Sequence, residues 1–176
     1  MVTKKVEKAL NEQISKEEFS ARLYLSMASW CERNGYQGAG AFLYAQSEEE
    51  RLHMLKLVHY LNDRGGTSRF EAMETLPGVF KTLLDIFQQV LKHEEFISGS
   101  INSLYGICVT EKDFTTAQYL QWYINEQIEE ESTARNILDK ISLAGNHEGG
   151  LFMIDKELQA MAQAKTAGAG TTSAAT

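Results

Sequence analysis

The stretch Glu48-Glu49-Glu50-Arg51-Leu52-His53 lies inside the series Ala39, Leu43, Gln46, Glu50, His53, Leu57 and Tyr60, which steps by four and three residues. That stepping is one face of an α-helix, and such a face is normally apolar throughout because it packs against the core. Here its middle carries a carboxylate and an imidazole three residues apart, so both side chains leave the same face one turn apart. A lone Glu-x-x-His arises often by chance. Its meaning depends on what the rest of the chain places at the same depth.

Three further series have the same period: Val6, Leu10, Gln13, Glu17, Ser20, Tyr24, Met27, Cys31; Leu83, Phe87, Val90, Glu94, Ile97, Ile101, Leu104, Cys108; and Thr116, Leu120, Tyr123, Gln127, Glu130, Ala134, Ile137, Ile141. Each is apolar at its ends and acidic or amide-bearing in the middle. Breaks fall at Asn34-Gly35, Arg64-Gly65-Gly66, Thr110-Glu111-Lys112-Asp113 and Gly145-Asn146, and the single proline, Pro77, lies outside all four series. The expected fold is all-α: two antiparallel helical hairpins. Gly65 to about Phe80 has no helical period, and at about 3.3–3.6 Å per extended residue it is long enough to return the chain along the bundle. A long crossover between helices two and three is the ferritin-like arrangement of a four-helix bundle. A short fifth segment follows, with Leu151, Ile154, Leu158 and Met161 on one face; it packs on the bundle end or on another subunit. Residues 1–162 form the expected domain. Residues 163–176, made largely of Ala, Gly, Ser and Thr, read as a low-complexity, disordered tail.

The polar centres of the four stripes coincide in register. Glu17 precedes Glu50 by 33 residues and His53 by 36; Glu94 precedes Gln127 by 33 and Glu130 by 36. The two hairpins superpose at an offset of 77 residues, which also carries Cys31 onto Cys108. Four carboxylates and an imidazole at one level of a bundle interior require a cation, because an unpaired carboxylate taken out of water costs several kcal/mol. Neighbouring layers of the stripes hold no Lys or Arg. Bound metal therefore remains, and oxygen with nitrogen ligands favours iron or manganese. Glu17, Glu50 and His53 would hold one ion, and Glu50, Glu94 and Glu130 a second, with Glu50 bridging. The pairs His53/Glu130 and Glu50/Gln127 make the two positions inequivalent.

Glu49, Glu126 and Glu129 flank this set closely enough to hold a third, looser ion. Tyr24, two turns from Glu17, reads either as a core tyrosine with a satisfied hydroxyl or as a hydrogen-bond partner or electron donor beside the metals. Trp122 reads as core packing before redox relay. His59, His93 and His147 fall off the stripes and read as ordinary surface histidines.

Composition sets the outer bounds. The 176 residues carry 17 Lys+Arg and 24 Asp+Glu, a net charge of −7, which argues against nucleic acid or an anionic membrane as partner. The longest uncharged stretch, Phe96 to Thr110, contains Ser, Asn and Gly and is too short and polar to span a membrane. Cys31 and Cys108 suit buried free thiols, and the N-terminus shows no apolar block, so the expected location is cytoplasmic.

Taken together, these residues resemble the ferritins, most closely the bacterial non-haem type. The resemblance spans roughly residues 5 to 160 and rests on Leu10 to Ile14, Glu17 with Tyr24, Glu49 to His53, Lys92-His93-Glu94, Leu120 to Tyr123, Glu126 to Glu130, Ser142 to Gly145, and Ile154 to Leu158. It implies a ferroxidase centre at Glu17, Glu50, His53, Glu94 and Glu130 with Gln127 alongside, and a third iron site at Glu49, Glu126, Glu129 and Glu130. It also implies Fe2+ and dioxygen, or hydrogen peroxide, as substrates, a shell of 24 identical subunits with the fifth helix near its four-fold axis, and no haem, since helix four lacks a second Glu-x-x-His and Arg51 stands where haem-binding relatives have methionine. Two other functions fit the residues less well. A di-metal enzyme acting on an organic substrate would need a pocket beside the metals, and a DNA-protecting bundle would need a less acidic surface.

Overall fold

The computed structural model describes residues 1–145 and 147–172. Five helices make up the regular structure, with no strand among the described residues: α1 (Lys4–Arg33), α2 (Gln37–Asp63), α3 (Leu83–Thr110), α4 (Phe114–Ala144) and α5 (Glu148–Thr172). Caps define their starts. Thr3 accepts from Val6 N at 3.3 Å, Thr82 from Asp85 N at 3.1 Å and Asp113 from Thr116 N at 3.1 Å, each satisfying an otherwise orphaned helix N–H. Gly35, at φ 89°, takes the left-handed turn that ends α1 and lets Tyr36 N bond back to Cys31 O at 3.0 Å.

α1 packs on α2 and α3 on α4, and α1 faces α3. The segment between Arg64 and Thr82 has no regular structure and crosses from one hairpin to the other, as the missing period predicts. Arg64 ties the second hairpin to it, donating to both Asp113 carboxylate oxygens at 3.1 and 3.2 Å.

The apolar core is divided in two. One half gathers Val6, Leu10, Ile14, Leu57, Leu61, Ile97, Ile101, Leu104 and Leu120; the other gathers Tyr24, Met27, Leu43, Phe42, Phe87, Val90, Ala134, Ile137 and Ile141. Along each of the four helices the polar centre of its stripe falls between the two. The free cysteines fall in opposite halves, both buried, and burial pushes the thiol of Cys31 up to about 12. No helix among the described residues is long and apolar enough to cross a membrane.

α5 corrects the sequence reading at its C-terminal end. The expected boundary at residue 162 is overrun: the helix continues to Thr172, so 163–172 are helical and only 173–176 of the expected tail lie outside the described residues. Alanine is the strongest helix former, and its side chain has nothing to lose on ordering, so an Ala-rich run extends a helix already anchored by Ile154, Leu158 and Ala162. The anchor settles where the fifth segment packs. It lies along α2, with a lesser contact to α4. At its start Asp155 accepts from Gly38 N at 3.0 Å and Ala39 N at 2.8 Å, capping α2, whose own preceding residue Tyr36 offers no side-chain cap. The approach is so close that a Cβ on Gly38 would stand 1.7 Å from the Asp155 carbonyl oxygen.

Candidate metal centre

α1, α2, α3 and α4 each deliver their mid-stripe side chains to the polar layer between the two apolar halves. Glu17, Glu50, Glu94 and Glu130 are all buried, as are His53 and Gln127. Ligand atoms of Glu17, Glu50 and His53 lie within 4.8 Å of one another, and His53 Nδ1 is 3.5 Å from Glu50 Oε2. A second group of the same compactness joins Glu49 and Glu126 to His53. Each group gathers one nitrogen and two oxygen donors, the composition that hard and borderline divalent ions accept. His53 is thus the residue common to both groups, and its place between them is fixed from behind by Tyr123, whose hydroxyl donates to the His53 carbonyl at 2.9 Å.

The remaining carboxylates are held by hydrogen bonds. Gln13 Nε2 donates to Glu17 at 2.7 Å; Gln127 Nε2 donates to Glu94 Oε2 at 3.1 Å; the Tyr24 hydroxyl also donates to Glu94. Tyr24 is therefore a core tyrosine and a direct partner of the polar layer at once. Glu130 accepts from Gln46 Nε2 at 2.7 Å. Among the described residues no buried side-chain nitrogen or oxygen lacks a partner.

Their electrostatics are those of a layer awaiting positive charge. Burial pushes the carboxyls of Glu17 and Glu50 well above the ordinary range, and their like-charged neighbours push the same way: Glu50 on Glu17, Glu94 on Glu50. Glu94 is raised by burial against the opposing hydrogen bonds of Tyr24 and Gln127. Glu130 is raised by burial to about 7. Glu126, half-buried at the rim, is raised by burial as well, with Glu49 and Glu129 adding to it. Glu129 itself is exposed and bears on the site through that field. A cation in this layer would offset both the burial cost of the carboxylates and their mutual repulsion.

Three residues outside the sequence-derived set belong to the site. Gln46 was visible on the α2 stripe and Gln13 on the α1 stripe, where a buried amide signals a partner. Lys165 was not visible. It reaches in from α5 to the carbonyl oxygen of the Gln46 side chain and to Glu49 Oε2, and stands 3.8 Å from Glu130 Oε1. Burial disfavours its charge, but Glu130 and Glu49 outweigh that, and its pKa is raised.

Two expectations are corrected. Trp122 is not core packing: it is 37% exposed, with its ring edge-on to His53 at 5.2 Å between centroids and the Lys56 ammonium 3.2 Å from its own centroid. His93 is not a surface histidine; it is half-buried, its Nε2 2.8 Å from Ser20 Oγ and its ring packed against Phe19 and Tyr24, where burial lowers its pKa to about 4. His59 and His147 are exposed, away from the layer.

Comparison with known proteins gives one consistent answer. A family model described as a ferritin-like domain matches residues 7–144. A bacterial non-heme ferritin of Campylobacter jejuni is 46% identical over 162 residues, covering 92% of this chain and 97% of its own. One from Escherichia coli O6:H1 is 41% identical over 152 residues, covering 86% and 92%. Among solved structures, an open pore ferritin from the hyperthermophilic archaeon Archaeoglobus fulgidus superposes with a TM-score of 0.89 at 38% identity, covering 90% of this chain and 98% of that one.

Proposed function

Because this chain belongs to the ferritin family, we propose that it stores iron, oxidising Fe2+ at the buried carboxylate layer and retaining the ferric product in a hollow shell of 24 copies of itself in the cytoplasm. The observation that carries this reading is the layer itself: four buried carboxylates and His53 at one depth, with donor atoms of Glu17, Glu50 and His53 inside 4.8 Å.

Glu17, Glu50 and His53 hold one ferrous ion; Glu50, Glu94 and Glu130 hold the second, with Glu50 spanning both. Gln127 and Tyr24 hold Glu94 in place through the hydrogen bonds they donate to it. Glu49, Glu126, Glu129 and Glu130 offer a third iron position at the rim. Each of two ferrous ions gives up one electron; dioxygen takes both, with two protons, and leaves as hydrogen peroxide. The chain contributes by holding two cations close enough to serve one oxidant, and by supplying anionic oxygen donors that favour the ferric over the ferrous ion.

The test is to mix metal-free protein with ferrous iron in air and follow ferric absorbance together with particle size. Rapid oxidation with iron retained in soluble, shell-sized particles is the expected result. Oxidation followed by precipitation from a small oligomer would overturn storage, and absence of oxidation above the protein-free rate would overturn the ferroxidase reading.

A further inference from the structure

Lys165 is a cation placed where the outer carboxylates meet. It comes from the tenth residue after Asp155, the side chain that pins the start of α5 to α2, so its position is set by the docking of a whole helix. Its ammonium donates to Gln46 and to Glu49 and lies 3.8 Å from Glu130. Gln46 in turn donates to Glu130. One ammonium thus bears on two of the carboxylates that line the rim, Glu49 and Glu130, and on the amide that orients the second. Its side chain is 31% exposed, against 5% for Glu130, so it closes the rim from the solvent side.

We propose that Lys165 is a tethered competitor for the rim: its ammonium occupies the Glu49 and Glu130 oxygens in the metal-free protein and must swing out before a metal cation binds there. The inference rests on the reading of the layer as a metal centre and adds a residue that regulates its outer position. Lys165 makes no hydrogen bond or ion pair with Glu17, Glu50 or His53, so the inner group fills without displacing it. The chemistry is simple exchange. One ammonium leaves two carboxylates for water, one divalent cation takes its place, and no bond is made or broken covalently.

The test uses Zn2+, which binds oxygen and nitrogen donors without changing oxidation state, titrated calorimetrically into the assembled metal-free protein. The rim event is identified as the one lost in Glu126→Gln, and the inner event as the one lost in Glu17→Ala. Lys165→Gln, which removes the charge and keeps a polar side chain one atom shorter, is expected to tighten the rim event roughly tenfold, the equivalent of one close charge pair, and to leave the inner event at Glu17, Glu50 and His53 unchanged. Lys165→Arg, which keeps the charge, is expected to stay near wild type. Unchanged or weaker rim binding in Lys165→Gln, with the inner event intact, overturns the inference and leaves the function standing. Loss of the inner event from wild type itself would overturn the function and this inference with it.

Discussion

Gln46 Nε2 lies 2.7 Å from Glu130 Oε2, and this bond joins α2 to α4 across the middle of the bundle, where the two backbones do not approach each other. It fixes the buried carboxylate of α4 that Lys165 also approaches. In the proposed centre Glu130 serves both the inner pair of positions and the outer one, which makes it the most informative single residue to change.

Replacing it should separate site from surface. Glu130→Ala is expected to slow ferrous oxidation at least about tenfold, the usual scale for a lost ligand or its immediate support, whereas His59→Ala, exposed and remote, should leave the rate unaltered. Stopped-flow absorbance of the ferric product is the measurement. Equal rates for wild type and Glu130→Ala would refute its assignment as a ligand.

A second prediction concerns pH. The Glu130 carboxyl is raised to about 7 in the folded chain against 4.5 for an ordinary glutamate, so between those values the folded protein holds a proton that the unfolded chain has released. The stabilisation from this group is complete below 4.5 and is lost as pH rises through 7, an effect of up to roughly 3 kcal/mol. His93 works in the opposite direction: lowered to about 4, it costs stability as pH falls below its ordinary value of 6.5. Denaturant melts of metal-free wild type and Glu130→Gln across pH 5 to 7 should therefore differ in slope, the variant gaining stability relative to wild type as pH rises. Parallel curves would contradict the burial of a titrating carboxyl at this position. Saturating Zn2+ should remove the difference in slope by keeping Glu130 ionised in wild type.

The docking of α5 supplies the third. Asp155→Ala removes both hydrogen bonds that cap α2 and is expected to cost about 1–2 kcal/mol, read from the denaturation midpoint. Gly38→Ala should cost more, because its new methyl would collide with the backbone of α5 at Asp155 and force the helices apart. If Gly38→Ala proved as stable as wild type, the close packing of these two helices would be wrong.

Much of this molecule is legible in its residues. Period and breaks give four long helices, because an amphipathic stripe must face a core wherever the rest of the chain lies. The 77-residue offset carries Glu17 onto Glu94, Glu50 onto Gln127 and His53 onto Glu130, so the polar centres of the two hairpins match, because helices of equal rise per residue keep such offsets aligned. The buried carboxylate layer could thus be read before any contact was known. Only the tertiary structure brought Lys165 and Asp155 to it and to the start of α2. Both lie on α5, whose crossing of α2 depends on side-chain fit between distant segments, and the run that carries Lys165 is so poor in large apolar residues that its composition resembles a loose tail. His93 and Trp122 differ from their sequence reading for a related reason: both lie off the four stripes, and stripe position alone does not say that a neighbouring helix covers His93 and leaves Trp122 partly open to solvent. Spacing along the chain determined which carboxylates share a level; only packing between helices decided which cation the chain itself sets against them.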